Sequence, residues 1–298
     1  MQQRRQLKRR NSEMKTTEIK KRKKMRGCLR AVIQLLYFLF FPAAYTSAFS
    51  GVKYIFTQIG MKEPVALTSF TAVLLVLCVY TIIFGRFFCG FACAFGSLGD
   101  AFRAGYVWIC KKCRKKPISI PVSWEKKLTA AKYLLFATIL IICFAGVSDK
   151  LQAASPWVVF SMLQAGNWRL GGYVWGIIIL ILLMAGMCVC ERFFCRFFCP
   201  MGAVFSILPV LPFFSLHRDR EQCLKGCSAC RRKCPADLEL TSPASMEVSG
   251  ECFQCQKCID ACPKRNIRCG VKGLKGNEEW FTLLRTALLL GLFLWLGI

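Results

Sequence analysis

The sequence predicts an all-α polytopic membrane protein of about five transmembrane helices, with a small cysteine-rich α+β domain on the cytoplasmic side. Three observations predict it. Of 298 residues 55% are apolar, yet 42 Lys+Arg stand against 16 Asp+Glu, a net charge of +26. The apolar residues gather in long runs and the basic residues gather between alternate runs, a segregation that a bilayer imposes. Most of the 20 cysteines lie on the basic side. In a chain this long, thiols set among Lys and Arg point to metal ligation in a reducing compartment and away from a disulfide framework. The single histidine, His217, excludes bis-histidine haem ligation by this chain and a histidine-rich zinc or di-iron site.

Taken in order, a basic tail (1–30) with 13 Lys/Arg precedes a first transmembrane hairpin (31–127) and a second (128–216). A cysteine-dense domain (217–277) and a fifth helix (278–298) follow. The expected spans are 31–50, 65–84, 128–147, 172–190 and 280–298, each close to the roughly 20 residues that cross a ~30 Å hydrocarbon layer. Pro42 should kink the first, Lys132 should snorkel from an end of the third, and Arg285 enters the fifth. Arg285 aside, 37 basic residues fall on one side and four (Lys53, Lys62, Lys150, Arg169) on the other. The tail and the cysteine-dense domain are therefore expected in the cytoplasm, with the chain in the cell's inner membrane. A tail so basic also suits nucleic acid, but its juxtamembrane place favours anionic lipid, and no nucleic-acid partner is expected. Residues 154–169, with two tryptophans, suit an interfacial segment on the outer face. Residues 201–216, broken by Pro209 and Pro212, suit one on the inner face.

Residues 83–97 (IFGRFFCGFACAFGS) and 189–203 (VCERFFCRFFCPMGA) align without gaps at an offset of 106. They share Arg86/Arg192, Phe87/Phe193, Phe88/Phe194, Cys89/Cys195, Phe91/Phe197, Cys93/Cys199 and Gly96/Gly202. Each copy follows an inward-running span, so the two hairpins form a parallel repeat about an axis along the membrane normal. Such an axis brings both cysteine pairs together at the cytoplasmic surface. A helical i, i+4 spacing puts the two sulfurs of each pair on one face. Four thiols suffice for a third cluster or a thiol redox site, with small apolar packing residues as the alternative.

The strongest motif is Cys252-x2-Cys255-x2-Cys258-x3-Cys262-Pro263, the spacing of a bacterial 2[4Fe–4S] ferredoxin. A second run, Cys223-x3-Cys227-x2-Cys230-x3-Cys234-Pro235, is one residue longer at Lys225-Gly226, where Gly226 can take a positive φ. In two-cluster ferredoxins the fourth cysteine serves the other cluster. The expected ligand sets are Cys223, Cys227, Cys230 and Cys262 for one [4Fe–4S] and Cys252, Cys255, Cys258 and Cys234 for the other. Structural zinc favours separated C-x2-C pairs and fits these runs poorly. Cys110 and Cys113 form an isolated pair, and Cys28, Cys78, Cys143, Cys188, Cys190 and Cys269 carry no assigned role.

With these motifs in place, the chain resembles the NapH/NosR-type membrane polyferredoxins over residues 28–275. That family's twin C-x3-C-P motifs match Cys195-x3-Cys199-Pro200 in full and Cys89-x3-Cys93 in part, Ala94 replacing proline. The resemblance implies several spans, cytoplasmic clusters, and electron transfer linked to the quinone pool and a redox partner subunit. The expected function is electron passage between a quinol or membrane partner and another redox subunit. In the quinol version the chain is a dehydrogenase subunit without substrate chemistry of its own. An iron–sulfur sensing or metalloenzyme-assembly role is the alternative, and transport is the weakest reading because the spans hold few polar residues.

Overall fold

The computed structural model describes residues 2–118, 122–147, 152–211, 216–218, 223–224, 226–238, 246–247, 249–270 and 278–297. The expectations attached to Lys150 and Lys225 lie outside these residues.

A 39-residue helix α1 (Gln2–Phe40) begins the chain and stops at Phe41-Pro42. Proline lacks the amide that would continue the ladder, and the next helix, α2 (Ala44–Met61), leaves at 60° to the second half of α1. The expected first span thus straddles a break. α2 pairs with α3 (Ser69–Phe84) so closely that a Cβ on Gly51 would meet the Leu74 side chain at 3.1 Å and the Phe70 backbone. Thr68 caps α3, its hydroxyl accepting from the Thr71 amide at 3.3 Å, and Gly85 ends it at φ 67°, a region costly for any residue with a Cβ.

Each repeat then makes one π-helical turn, Phe88–Ala92 and Phe194–Phe198. Both turns end on an extended cysteine, Cys93 (ψ 124°) or Cys199 (ψ 114°), which serves as N-cap of α4 (Ala94–Lys112) or of a later helix. The expected shared helical face for each cysteine pair is therefore replaced: one thiol sits in the π turn and the other caps the following helix. Stacked Phe87 and Phe91 (4.4 Å) and edge-on Phe193 and Phe197 (5.5 Å) pack along the turns.

Between the copies run α5 (Val122–Phe144), α6 (Pro156–Gln164) and α7 (Val174–Val189), with α8 (Pro200–Ile207) after the second. α6 starts on Pro156 and packs on α7, occupying the segment expected at the outer interface. The cysteine-dense region holds β1 (Leu216–Arg218), α9 (Ala229–Arg232), β2 (Met246–Glu247), α10 (Lys257–Ala261) and β3 (Ile267–Cys269). Its antiparallel sheet has the order β2–β1–β3, with Leu216 opposite both Glu247 and Cys269. α11 (Glu278–Leu296) closes the chain.

The fold is mainly helical, as expected. Among the described residues one helix, α11, is long and apolar enough to cross a membrane alone, and Lys21–Phe40 with Ala44–Met61 passes as a bent pair. Ser69–Phe84, Leu128–Phe144 and Val174–Val189 are apolar but shorter. At ~1.5 Å per residue, sixteen residues reach about 24 Å.

Lys132 does not snorkel. It is fully buried near the middle of α5, its ammonium 2.5 and 2.6 Å from the Glu251 carboxylate, because the cysteine-dense region supplies that counter-charge.

Candidate iron–sulfur centres

Cys252, Cys255 and Cys258, each 8% exposed, line an apolar cavity with Leu216, Pro235 and Leu238, and Cys234 of the other run completes the lining thiols with Cys230. The 252–258 turn is tight: Gln254 (φ 51°) and Gln256 (φ 61°) are left-handed before α10 begins. Burial pushes the Cys234, Cys252 and Cys258 thiols up, and backbone amides near Cys234 and Cys252 offset only part of that. Thiols gathered in an apolar space favour a cation that takes them as thiolates, which fits an iron–sulfur cluster.

The other set gathers around Arg218 and Asn266. Arg218 Nε donates to Cys223 Sγ (3.3 Å), Asn266 Nδ2 to Cys223 Sγ (3.4 Å), and the Asn266 amide to Cys262 Sγ (3.3 Å). Cys230 and Cys262 lie within electrostatic reach of Arg218. Cys227 sits half-buried in the turn after Gly226, which takes φ 72°. Asn266 thus joins Cys262 to Cys223 of the first run, while Cys234 lines the cavity of the second.

Cys89, Cys93, Cys195 and Cys199, at most 5% exposed, share one buried core. Burial pushes Cys195 up to about 11 and raises Cys93 and Cys199, and each thiol also feels its neighbours in the quartet. Opposing this, the Gly202 amide donates to Cys199 Sγ (3.1 Å) at the start of α8, and the Gly96 amide does the same for Cys93 at the start of α4.

Two buried arginines cross between the repeats. Arg192 donates to the Cys89 and Gly90 carbonyls and to Asp100 of the first copy. Arg86 reaches Ser206 of the second copy (3.0 Å), the Gly250 carbonyl (3.2 Å) and Glu251 (3.3 Å). The repeat glycines make room: a Cβ on Gly96 would collide with Arg192, and one on Gly202 would stand 3.1 Å from Arg86 Nη2. Arg86 Nε and Nη2 are buried with no oxygen acceptor, and the guanidinium lies within hydrogen-bonding reach of the Cys89 thiol and close to Cys199. Donors of this kind fit an anionic cluster with sulfide acceptors. Among the described residues no three His, Cys, Asp or Glu side chains close on a single metal ion, as structural zinc requires. A cubane spreads its thiolates over separate irons.

The 252–256 loop seats on this quartet. The Phe253 ring lies 4.7 Å from the Arg86 guanidinium and 6.0 Å from that of Arg192. Any Cβ on Gly90 would collide with the Phe253 carbonyl and approach the Cys255 amide at 3.6 Å.

A family model for a 4Fe–4S binding domain matches residues 65–117 and 173–212, the two halves of the repeat that carry the quartet. An uncharacterized protein of Methanocaldococcus jannaschii is 29% identical over 239 residues, 79% of this chain and 92% of its own length. Protein NirI of Paracoccus denitrificans is 28% identical over 232 residues, 76% of this chain but 30% of NirI. Ferredoxin-type protein NapH of Haemophilus influenzae is 24% identical over 212 residues, 68% of each chain. These similarities support a NapH/NosR-type polyferredoxin family for the chain. No solved structure matches it.

In this polyferredoxin two further buried groups were not assigned by sequence reasoning. Arg285 of α11 is fully buried, stacks 4.6 Å over Phe87 and donates to Cys269 Sγ (3.2 Å). Cys269 lies within electrostatic reach of Cys252 and Cys258. Asp100 was missed as well, although its place, at the repeat offset from Ser206, is a signal the sequence carries. Cys110 is buried and Cys113 exposed at the far end of α4, and neither joins the quartet.

Proposed function

We propose that this polyferredoxin is a multi-pass membrane electron carrier with three [4Fe–4S] clusters. One is held by Cys223, Cys227, Cys230 and Cys262, one by Cys252, Cys255, Cys258 and Cys234, and one by Cys89, Cys93, Cys195 and Cys199. The observation that carries the reading is the seating of the Cys252–Gln256 backbone on the Gly90 turn, where the Phe253 carbonyl and the Cys255 amide occupy the space a Gly90 side chain would need. Bound clusters supply one-electron chemistry. The residues of the chain supply the rest: Arg86 and Arg192 offset negative charge, the phenylalanines exclude water, and Gly90 permits close approach.

On this reading α2, α3, α5, α7 and α11 are the spans, α2 replacing the 31–50 run, and flanking apolar residues and local thinning accommodate the short helices. The tail and the cysteine-dense domain face the cytoplasm, following the charge bias. Electrons pass between a quinol pool or membrane partner and a redox partner subunit. The relatives' printed descriptions, such as ferredoxin-type protein, agree with iron–sulfur electron transfer.

Anaerobic purification in detergent should give about twelve irons per chain. EPR signals should appear with dithionite and, with the physiological donor class, with a menaquinol. About eight irons, unchanged by Cys89→Ser with Cys195→Ser, removes the third cluster. Reduction by dithionite but never by quinol, with or without partners, removes the quinol-fed version.

A further inference from the structure

One to two turns along α2 from Tyr45 lies a second cavity, of about 240 Å³. Phe49 and Lys53 of α2, Ile139, Ile142 and Cys143 of α5, and the 152–158 segment entering α6 form its walls. An apolar cavity of roughly 150 Å³ admits a benzene ring, so this one has room for a substituted or fused ring. Its walls are mostly hydrocarbon, but its donors are specific. The Trp157 indole N–H is buried and has no hydrogen-bond partner, and the Lys53 ammonium stands 5.3 Å over the Phe49 ring. Both residues line the cavity, along with Ser155. One buried donor left open, that of Trp157, beside the half-buried Lys53 ammonium among apolar walls, suits a ring that carries acceptor oxygens.

The cavity also has an aromatic connection to the quartet. Trp157 packs on Phe49 at 5.1 Å and on Phe194 at 6.4 Å, Phe49 stacks on Tyr45 at 6.4 Å, and Cys199 Sγ lies 3.8 Å from the Tyr45 hydroxyl. Phe194 adjoins Cys195 in sequence. Lys53 lies eight residues beyond Tyr45, about 12 Å along α2. One ring therefore separates each wall aromatic from a quartet cysteine.

We propose that this cavity is the quinol headgroup site, with Trp157 and Lys53 donating hydrogen bonds to the ring oxygens and the tail lying in lipid. The proposal rests on the electron-carrier reading and deepens it by assigning the donor's site. Oxidation of the bound quinol to quinone releases two electrons and two protons. The electrons leave one at a time past Tyr45 and Phe194 to the oxidised clusters, and the protons pass to water.

The test uses the full chain in detergent with a short-tailed quinone. Equilibrium binding is measured calorimetrically, and an azido analogue is cross-linked and mapped by peptide mass spectrometry. Cross-links should fall on peptides of α2, α5 and 152–158. Trp157→Phe and Lys53→Met should each weaken binding about tenfold, the loss of one donor. Ile142→Trp, which fills the cavity without removing a donor, should abolish binding. In all three, dithionite-reduced EPR spectra should match the parent, and cluster reduction by quinol should slow with the loss of affinity. Unchanged binding in all three variants, or cross-links elsewhere, overturns the site while leaving the quinol-fed carrier standing. Absent quinone binding with intact dithionite-reducible clusters overturns the site and the quinol donor but leaves the iron–sulfur carrier. Absent clusters overturn the reading on which the site rests.

Discussion

Arg192 and Asp100 come from opposite copies of the repeat and meet at 2.5 Å, the guanidinium 1% and the carboxylate 14% exposed. The equivalent contact of the other copy is Arg86 to Ser206, because Asp100 and Ser206 stand at the same offset of 106 as the two arginines. The repeat thus keeps the crossing and drops one carboxylate. Glu251, from the cysteine-dense region, supplies the missing charge to Arg86 and to Lys132. The repeat makes a near-symmetric frame, and the copy that carries Ser206 takes its counter-charge from the cysteine-dense region.

The two crossings should differ in strength. Asp100→Asn leaves Arg192 buried against a neutral partner and should destabilise by about 3–5 kcal/mol, the scale for breaking a buried pair. Ser206→Ala removes a neutral acceptor from a guanidinium that keeps Glu251, at a cost of about 1 kcal/mol. Thermal unfolding in detergent compares them, and equal losses would contradict the asymmetry.

The same pair predicts a pH dependence. Burial alone would raise the Asp100 carboxyl, but Arg192, then Lys257, with hydrogen bonds from Arg192 and Gln34, hold it well below the usual carboxylate range. A folded-state pKa below the unfolded value of ~3.9 means the stabilisation is complete above that value and lost as pH falls through the folded pKa. The stability difference between the parent and Asp100→Asn should therefore be constant from pH 8 to 6 and shrink as pH drops below about 4. A difference that grows on acidification would reverse the sign.

Glu251 should matter more than Lys132. Removing the carboxylate leaves two buried cations, Arg86 and Lys132, facing each other, whereas Lys132→Met leaves Glu251 paired with Arg86 and hydrogen-bonded by Tyr133 at 2.8 Å. Glu251→Gln should release the 249–262 loop to protease. Adding Lys132→Met to that variant should restore protection in part, a coupling of about 1–3 kcal/mol. No recovery in the double variant would count against the network.

Much of this was legible in the sequence, and the misses share a cause. The offset of 106 and the two cysteine runs are patterns of spacing, and spacing survives folding unchanged. The π turns were hidden because Cys89 and Cys93 satisfy i, i+4 equally well in an α-helix. Lys132 and Arg285 read as topological charges because their partners, Glu251 and Cys269, lie 119 and 16 residues away. The expected first span crosses a helix break because residues 31–61 are nearly continuous in apolarity, and Pro42 divides them where composition does not. The quartet's residues were visible, but the arginines that cross to it were not, since a conserved spacing does not say which copy a side chain serves.

Gly90 offers the sharpest test of how the centres communicate. It is the residue of the Phe88–Ala92 turn against which the Phe253 carbonyl rests, and a single methyl there has nowhere to go, because the atom it meets is backbone. Gly90→Ala should push the 252–256 loop, with Cys252 and Cys255, away from the quartet while removing no cysteine. Iron content should therefore hold, and each cluster's own EPR signal should persist. The magnetic interaction between the quartet and the neighbouring cluster should weaken, narrowing the fully reduced spectrum, and electron transfer between them should slow. Gly105→Ala, on the same stretch of chain with open space around its Cα, is the matched control and should change neither. An unaltered interaction in Gly90→Ala would mean that the electrons take another route than the Phe253–Cys255 backbone.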